Sequence, residues 1–141
     1  MEKTATATLE KDYIKLLKCN QVLNERGIRF SLRGISILQA MDKVDTIRDE
    51  NGTWWIAKHE MLTRIRESGN RKLPPIEEGW ISLESYVYHL SEAGIKVEEG
   101  KVCTQIFFTG SIKGKKDDYG RTLIKAEELQ KKIEKGVQSF F

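Results

Sequence analysis

The chain has 141 residues, with 24 Lys+Arg against 21 Asp+Glu, and is 39% hydrophobic, 32% charged and 9% aromatic. That length suits one domain or two very small ones, and two prolines with eleven glycines exclude a low-complexity or collagen-like chain. No apolar run approaches the roughly 18 residues of a membrane helix, and two cysteines, Cys19 and Cys103, argue against a disulfide scaffold and fit a reducing cytosol.

Residues 1–12 are rich in Thr and Ala, lack a hydrophobic h-region, and read as an N-terminal tail or helix extension rather than a secretory signal. A first module then spans 13–67. Its apolar spacing predicts a helix from about Leu16 to Arg26, stopped at Gly27. A second helix follows from about Leu32 to Lys43, with Ile35, Leu38 and Met41 inward. Next comes a β-hairpin turning at Asp49-Glu50-Asn51-Gly52 and returning through Thr53-Trp54-Trp55-Ile56. Alternation along that strand puts one of Trp54 and Trp55 inward and one outward, with core or inter-repeat packing the default role of both. A third helix spans about Lys58 to Glu67.

Both prolines fall in 68–79, which reads as a linker. The second module, 80–136, repeats the order. Ser82 is the expected N-cap of a helix carrying Leu83, Val87 and Leu90, running to Ala93 and ended by Gly94. The next helix runs from about Glu98 to Thr109, its acidic start matching the helix dipole, with Cys103, Ile106 and Phe107 inward. A hairpin turning at Asp117-Asp118-Tyr119-Gly120 and a helix from Lys125 to Lys135 complete it, leaving 137–141 as a C-terminal tail.

The two modules are an internal repeat. Tyr13-Ile14-Lys15-Leu16 recurs as Trp80-Ile81-Ser82-Leu83, and Gly27-Ile28 as Gly94-Ile95, at an offset of 80 − 13 = 67. Further on, Leu38 faces Ile106, Gly52 faces Gly120 and Ile56 faces Ile124, at 120 − 52 = 68. The one-residue slip is expected between Phe30 and Ile35. The order helix, turn, helix, hairpin, helix predicts an α+β protein of two winged helix-turn-helix repeats. A unit of about 55 residues buries little surface alone, so the pair is expected to pack as an internal dimer with pseudo-twofold symmetry in a monomeric chain.

No metal-ligand spacing links Cys19, His59, His89 and Cys103, and no catalytic constellation or phosphate loop is present, so neither an enzyme nor a metal or other cofactor is expected. A net charge of +3 requires any nucleic-acid-binding charge to be clustered. Lys113, Lys115, Lys116 and Arg121 flank the second hairpin turn, and Arg48 is the main cation of the first, whose Asp45, Asp49 and Glu50 make it less basic. Such hairpins can lie along phosphates. The candidate base readers are the outward positions of each second helix: Arg33, Ser36, Ile37 and Gln39 or Ala40 in the first module, with Ser31 near the helix start, and Lys101, Thr104, Gln105 and Phe108 in the second. Arg and Lys suit guanine, Gln suits adenine, and Thr suits a thymine methyl. Phe108 and the terminal Phe140-Phe141 would instead serve a protein-binding adaptor, the competing expectation.

The segments Trp80-Ile81-Ser82-Leu83, Phe107-Phe108-Thr109-Gly110-Ser111-Ile112 and Arg121-Thr122-Leu123-Ile124-Lys125-Ala126-Glu127-Glu128-Leu129 resemble the winged helix-turn-helix of MerR-type regulators and small excisionases. Tyr13-Ile14, Val44 and Trp55-Ile56-Ala57-Lys58-His59-Glu60-Met61 carry the resemblance in the first module. A tandem of two such units is similar to the small DNA-binding accessory proteins of Gram-positive conjugative plasmids. The resemblance implies double-stranded DNA and other conjugative transfer proteins as partners, and a cytoplasmic location without membrane attachment.

Overall fold

A short strand precedes the first helix of each module, which the sequence pattern did not disclose. The computed structural model describes residues 6–138 and divides into two compact units, Met1–Lys72 and Leu73–Phe141. In the first unit, α1 (Thr6–Asp12) leads into β1 (Tyr13–Lys15), α2 (Leu16–Glu25) and α3 (Leu32–Ala40). A hairpin of β2 (Thr46–Arg48) and β3 (Trp54–Ala57) then leads to α4 (Lys58–Glu67). The second unit runs β4 (Trp80–Ser82), α5 (Leu83–Glu92), α6 (Glu99–Phe107), β5 (Gly114–Lys116), β6 (Thr122–Lys125) and α7 (Ala126–Gln138). The protein is therefore mixed α+β.

Each unit holds one three-stranded antiparallel sheet, ordered β1-β3-β2 in the first and β4-β6-β5 in the second. The added strand pairs with the return strand of the hairpin, Tyr13 opposite Ala57 and Trp80 opposite Lys125. Lys125 is thus the last residue of a strand, not the first of a helix. The strand and first two helices keep one offset, since 80 − 13 and 99 − 32 are both 67, whereas the hairpin strands differ by 114 − 46 = 68. The slip therefore falls after the second helix, not before it. The extra residue lies in the connection from the second helix to the hairpin, 108–113 against 41–45, and both units leave that helix by a five-residue reach-back, Lys43 N to Leu38 O at 2.9 Å and Thr109 N to Thr104 O at 3.1 Å.

The helix ends follow local chemistry. Ser31 and Ser82 cap α3 and α5, each hydroxyl accepting from a backbone N–H three residues on (Gly34 and Ser85) at 2.9 Å. Gly27 and Gly94 take φ of 80° and 82°, letting Ile28 N and Ile95 N close onto the carbonyls of Leu23 and Leu90. The first core gathers Cys19, Leu23, Ile28, Phe30, Ile35, Val44 and Ile56. The second buries Leu83, Tyr86, Val87, Leu90, Val102, Ile106, Leu123 and Ile124.

Four expected core positions are corrected. Met41 and Phe107 are exposed, because α3 ends at Ala40 and because α6 turns Val102 and Ile106, one helical repeat apart, into the core. Cys103 only flanks that face. Trp55 is buried at 2% exposure while its neighbour Trp54 is 39% exposed, so period-two alternation removes Trp54 from the core. Residues 6–12 of the expected tail form α1, with Leu9 buried, and residues 137–138 belong to α7. Phe140 and Phe141 lie outside the described residues.

Candidate nucleic-acid interface

Both hairpins are built around an aspartate. Asp49 Oδ1 accepts from the N–H groups of Asn51 and Thr53, each at 2.9 Å. Asp117 Oδ1 repeats this with Tyr119 at 3.0 Å and Arg121 at 2.8 Å. Gly52 and Gly120 supply the positive φ of 80° and 82° that closes each turn. The second carboxylate oxygen differs between the units. Asp49 Oδ2 takes the indole N–H of Trp55 at 2.8 Å, whereas Asp117 Oδ2 takes Arg121 Nε at 2.6 Å.

That ion pair corrects one candidate. Arg121 is 8% exposed, and its Nη1 also donates to Pro74 O at 3.0 Å, so it is a buried brace of the turn rather than an outward cation. Nothing in the residue type marks this; the carboxylate four positions earlier does. Lys116 is exposed. Lys113 Nζ lies 3.7 Å from Glu127, with both side chains largely in solvent, a pair of little energetic weight. Lys115 Nζ meets Glu77 Oε2 at 3.0 Å and sits 4.3 Å from the Trp80 ring centroid. In the first hairpin, Arg48 donates to Gly52 O at 3.0 Å and lies 5.3 Å from the Trp54 ring.

The second helices present the other candidates. Lys101, Thr104 and Gln105 on α6, and Phe108 just past its end, recur at helical spacing and are exposed, Phe108 to 85%. Thr104 Oγ1 donates to Gly100 O at 3.1 Å, which steadies the rotamer of this exposed side chain. Ile112 N donates to Gln105 O at 3.2 Å, so the end of this helix is tied directly to the start of the lysine-bearing hairpin. On α3, Arg33, Ser36 and Ile37 are exposed, and so is Met41 just past its end. Gln39 is not an outward reader: it is half-buried, and its Nε2 is enclosed without a hydrogen-bond partner.

The first unit is the more acidic at the base of its hairpin. Tyr13 Oη donates to Asp45 Oδ1 at 3.0 Å, a bond that, with burial, raises the tyrosine pKa above its usual value. His59 Nε2 lies 3.5 Å from the other Asp45 oxygen, and Asp45 N donates to Glu60 Oε2 at 2.8 Å. An open cleft there is lined by Asp42, Lys43, Val44, Asp45, Thr46 and Glu60. Coulombic repulsion makes it a poor seat for phosphate.

Neither thiol is poised as a nucleophile. Burial pushes Cys19 up to about 12, and it raises Cys103 as well. Alkylation with iodoacetamide at mildly alkaline pH is expected to label Cys103 first. Cys19 should label only as the first unit opens, so equal labelling rates under native conditions would contradict its burial. Among the described residues, no three His, Cys, Asp or Glu side chains converge on a common point, and no helix is long and apolar enough to cross a membrane. No protein-family model, curated protein or solved structure matches the chain.

Proposed function

We propose that the chain is a sequence-specific double-stranded DNA-binding protein, each unit acting as a winged helix-turn-helix with α3 or α6 in a major groove and its hairpin on phosphates. The observation that carries this reading is the coupling in the second unit: exposed Lys101, Thr104 and Gln105 share a helix whose end is bonded to the hairpin bearing Lys113, Lys115 and Lys116. Base-edge donors and phosphate cations are thereby held on one small scaffold. The two helices carry different outward residues, so the proposed target is two unlike half-sites rather than a palindrome. The tandem architecture resembles TraN, a DNA-binding accessory protein of Gram-positive conjugative transfer systems. On that resemblance, the proposed role is relaxosome accessory factor or regulator of a transfer operon.

Selection from random duplexes, followed by titration at two salt concentrations, tests the reading. Lys101→Ala is expected to cost about 1–3 kcal/mol on the selected site and to relax preference at one position. Lys116→Ala should weaken all sequences alike and reduce the salt slope by about one. Equal losses from both substitutions on every sequence would contradict this division of labour. A protein-binding adaptor is the second reading, favoured by the 85% exposure of Phe108 beside half-exposed Phe107. Absence of any salt-sensitive DNA binding would select it.

A further inference from the structure

The sheet of the second unit gathers two ammonium groups on one indole. By register, Trp80 lies opposite Lys125 and Lys115 lies opposite Leu123, so all four side chains share one face of the sheet. Lys115 Nζ is 4.3 Å and Lys125 Nζ 4.7 Å from the Trp80 ring centroid. Both ammonium groups bear on the same ring, and an anion beside them offsets the repulsion between like charges. Glu77 Oε2 covers Lys115 at 3.0 Å, whereas no carboxylate pairs with Lys125 among the described residues. Glu77 is held in place locally: its carbonyl accepts from Trp80 N at 3.2 Å, and Arg121 grips the same segment through Pro74 O.

The internal repeat supplies a control. At the matching positions of the first unit stand Tyr13, Ala57 and Ile47, so both lysines are missing there, and the Tyr13 hydroxyl is directed to Asp45 instead. The two lysines on an aromatic platform are thus a feature of one unit alone, not a requirement of the shared fold.

We infer that Trp80, Lys115 and Lys125 form a phosphate seat in which the Glu77 carboxylate stands in for the phosphate group when no ligand is bound. The inference rests on the DNA-binding reading for its ligand, a phosphodiester of the duplex backbone, and adds Trp80, Lys125 and Glu77 to the interface. DNA must displace Glu77 from Lys115, so the linker carboxylate lowers affinity for every sequence equally.

The test uses the full chain and a duplex carrying its selected site, with binding measured across salt concentrations. Lys125→Gln is expected to weaken binding several-fold and to flatten the salt slope by about 0.9, one phosphate contact, with Lys125→Arg restoring both. Glu77→Gln should tighten binding several-fold without changing base preference. Unchanged affinity and slope in both variants, with wild-type binding intact, would overturn the seat and leave the DNA reading standing. A parallel arm follows the Trp80 indole N–H resonance, assigned by Trp80→Phe, with inorganic phosphate against chloride at equal ionic strength. A shift that Lys125→Gln abolishes, in a chain that binds no duplex, would keep the seat for a free phosphate group and overturn the DNA reading. No response to either ligand would overturn both.

Discussion

Asp117→Ala is expected to cost the second unit about 3 kcal/mol, the lower end of the range for removing one partner of a buried ion pair, since this pair is partly buried. The side chains of Arg121 and Asp117 are 7% and 15% exposed, so little water can replace the lost carboxylate. Arg121 would keep only the Pro74 carbonyl among its bonds described above, and the N–H groups of Tyr119 and Arg121 would lose their shared acceptor. Asp49→Ala should cost less, because its second oxygen meets the neutral indole of Trp55 rather than a charge. Urea titration of the two variants checks the ranking; equal losses would mean that the guanidinium does not need its partner.

The same carboxylates set an acid limit. Burial alone would raise the pKa of Asp117, but hydrogen bonds from the Arg121 side chain and backbone and from Tyr119, with the Arg121 charge, outweigh it and leave the group lowered. At Asp49, burial is likewise outweighed by Trp55, Thr53 and Asn51, with Lys15 adding its charge. A lowered folded pKa contributes stability that is complete above the unfolded carboxylate value of about 3.9 and is lost as pH falls through the folded value. Unfolding free energy should therefore fall on acidification below about pH 4, and less steeply in Asp117→Asn.

Gly114→Val is the second large effect, about 3 kcal/mol, the upper end of the range for overpacking. A Cβ at this position would lie 2.7 Å from Ile106 Cγ2 and 2.9 Å from the Leu123 carbonyl oxygen. The isoleucine is itself buried and the carbonyl belongs to the paired strand β6, so neither can swing clear. The clash pushes β5 away from α6, which separates the hairpin lysines from Lys101, Thr104 and Gln105. Thermal unfolding measures the first consequence; on the proposed DNA-binding function, a loss of base preference measures the second. A variant with wild-type melting temperature would show that β5 and α6 are not in this close contact.

Several features were legible because a single residue type enforces them. Gly27 and Gly94 stop helices by taking a backbone conformation that other residues rarely adopt. The Asp-x-x-Gly segments at Asp49 and Asp117 specify turns through their own side chains. The strands β1 and β4 were not legible: three residues are too short to show alternation, and they are strands only because β3 and β6 offer unpaired edges. The inward face of α6 is ambiguous in the sequence for a related reason. Val102, Cys103, Ile106 and Phe107 form an apolar band broad enough for two phases, and contact with the sheet selects Val102 and Ile106.

By itself, the amino-acid order determined the duplication, the glycine stops, the hairpin turns and the outward polar positions of α6, since each depends on local torsional preference or on periodic spacing. Only the tertiary structure decided which cations face solvent. Arg121 and Lys116 stand on the same hairpin with similar charge, yet one is drawn inside by Asp117 and the Pro74 carbonyl while the other remains outside. The pairing of Trp80 with Lys125 and Lys115 likewise exists only because three strands distant in sequence align in one register. Charge is a property of a residue, but its availability is set by the neighbours that folding brings within hydrogen-bonding reach.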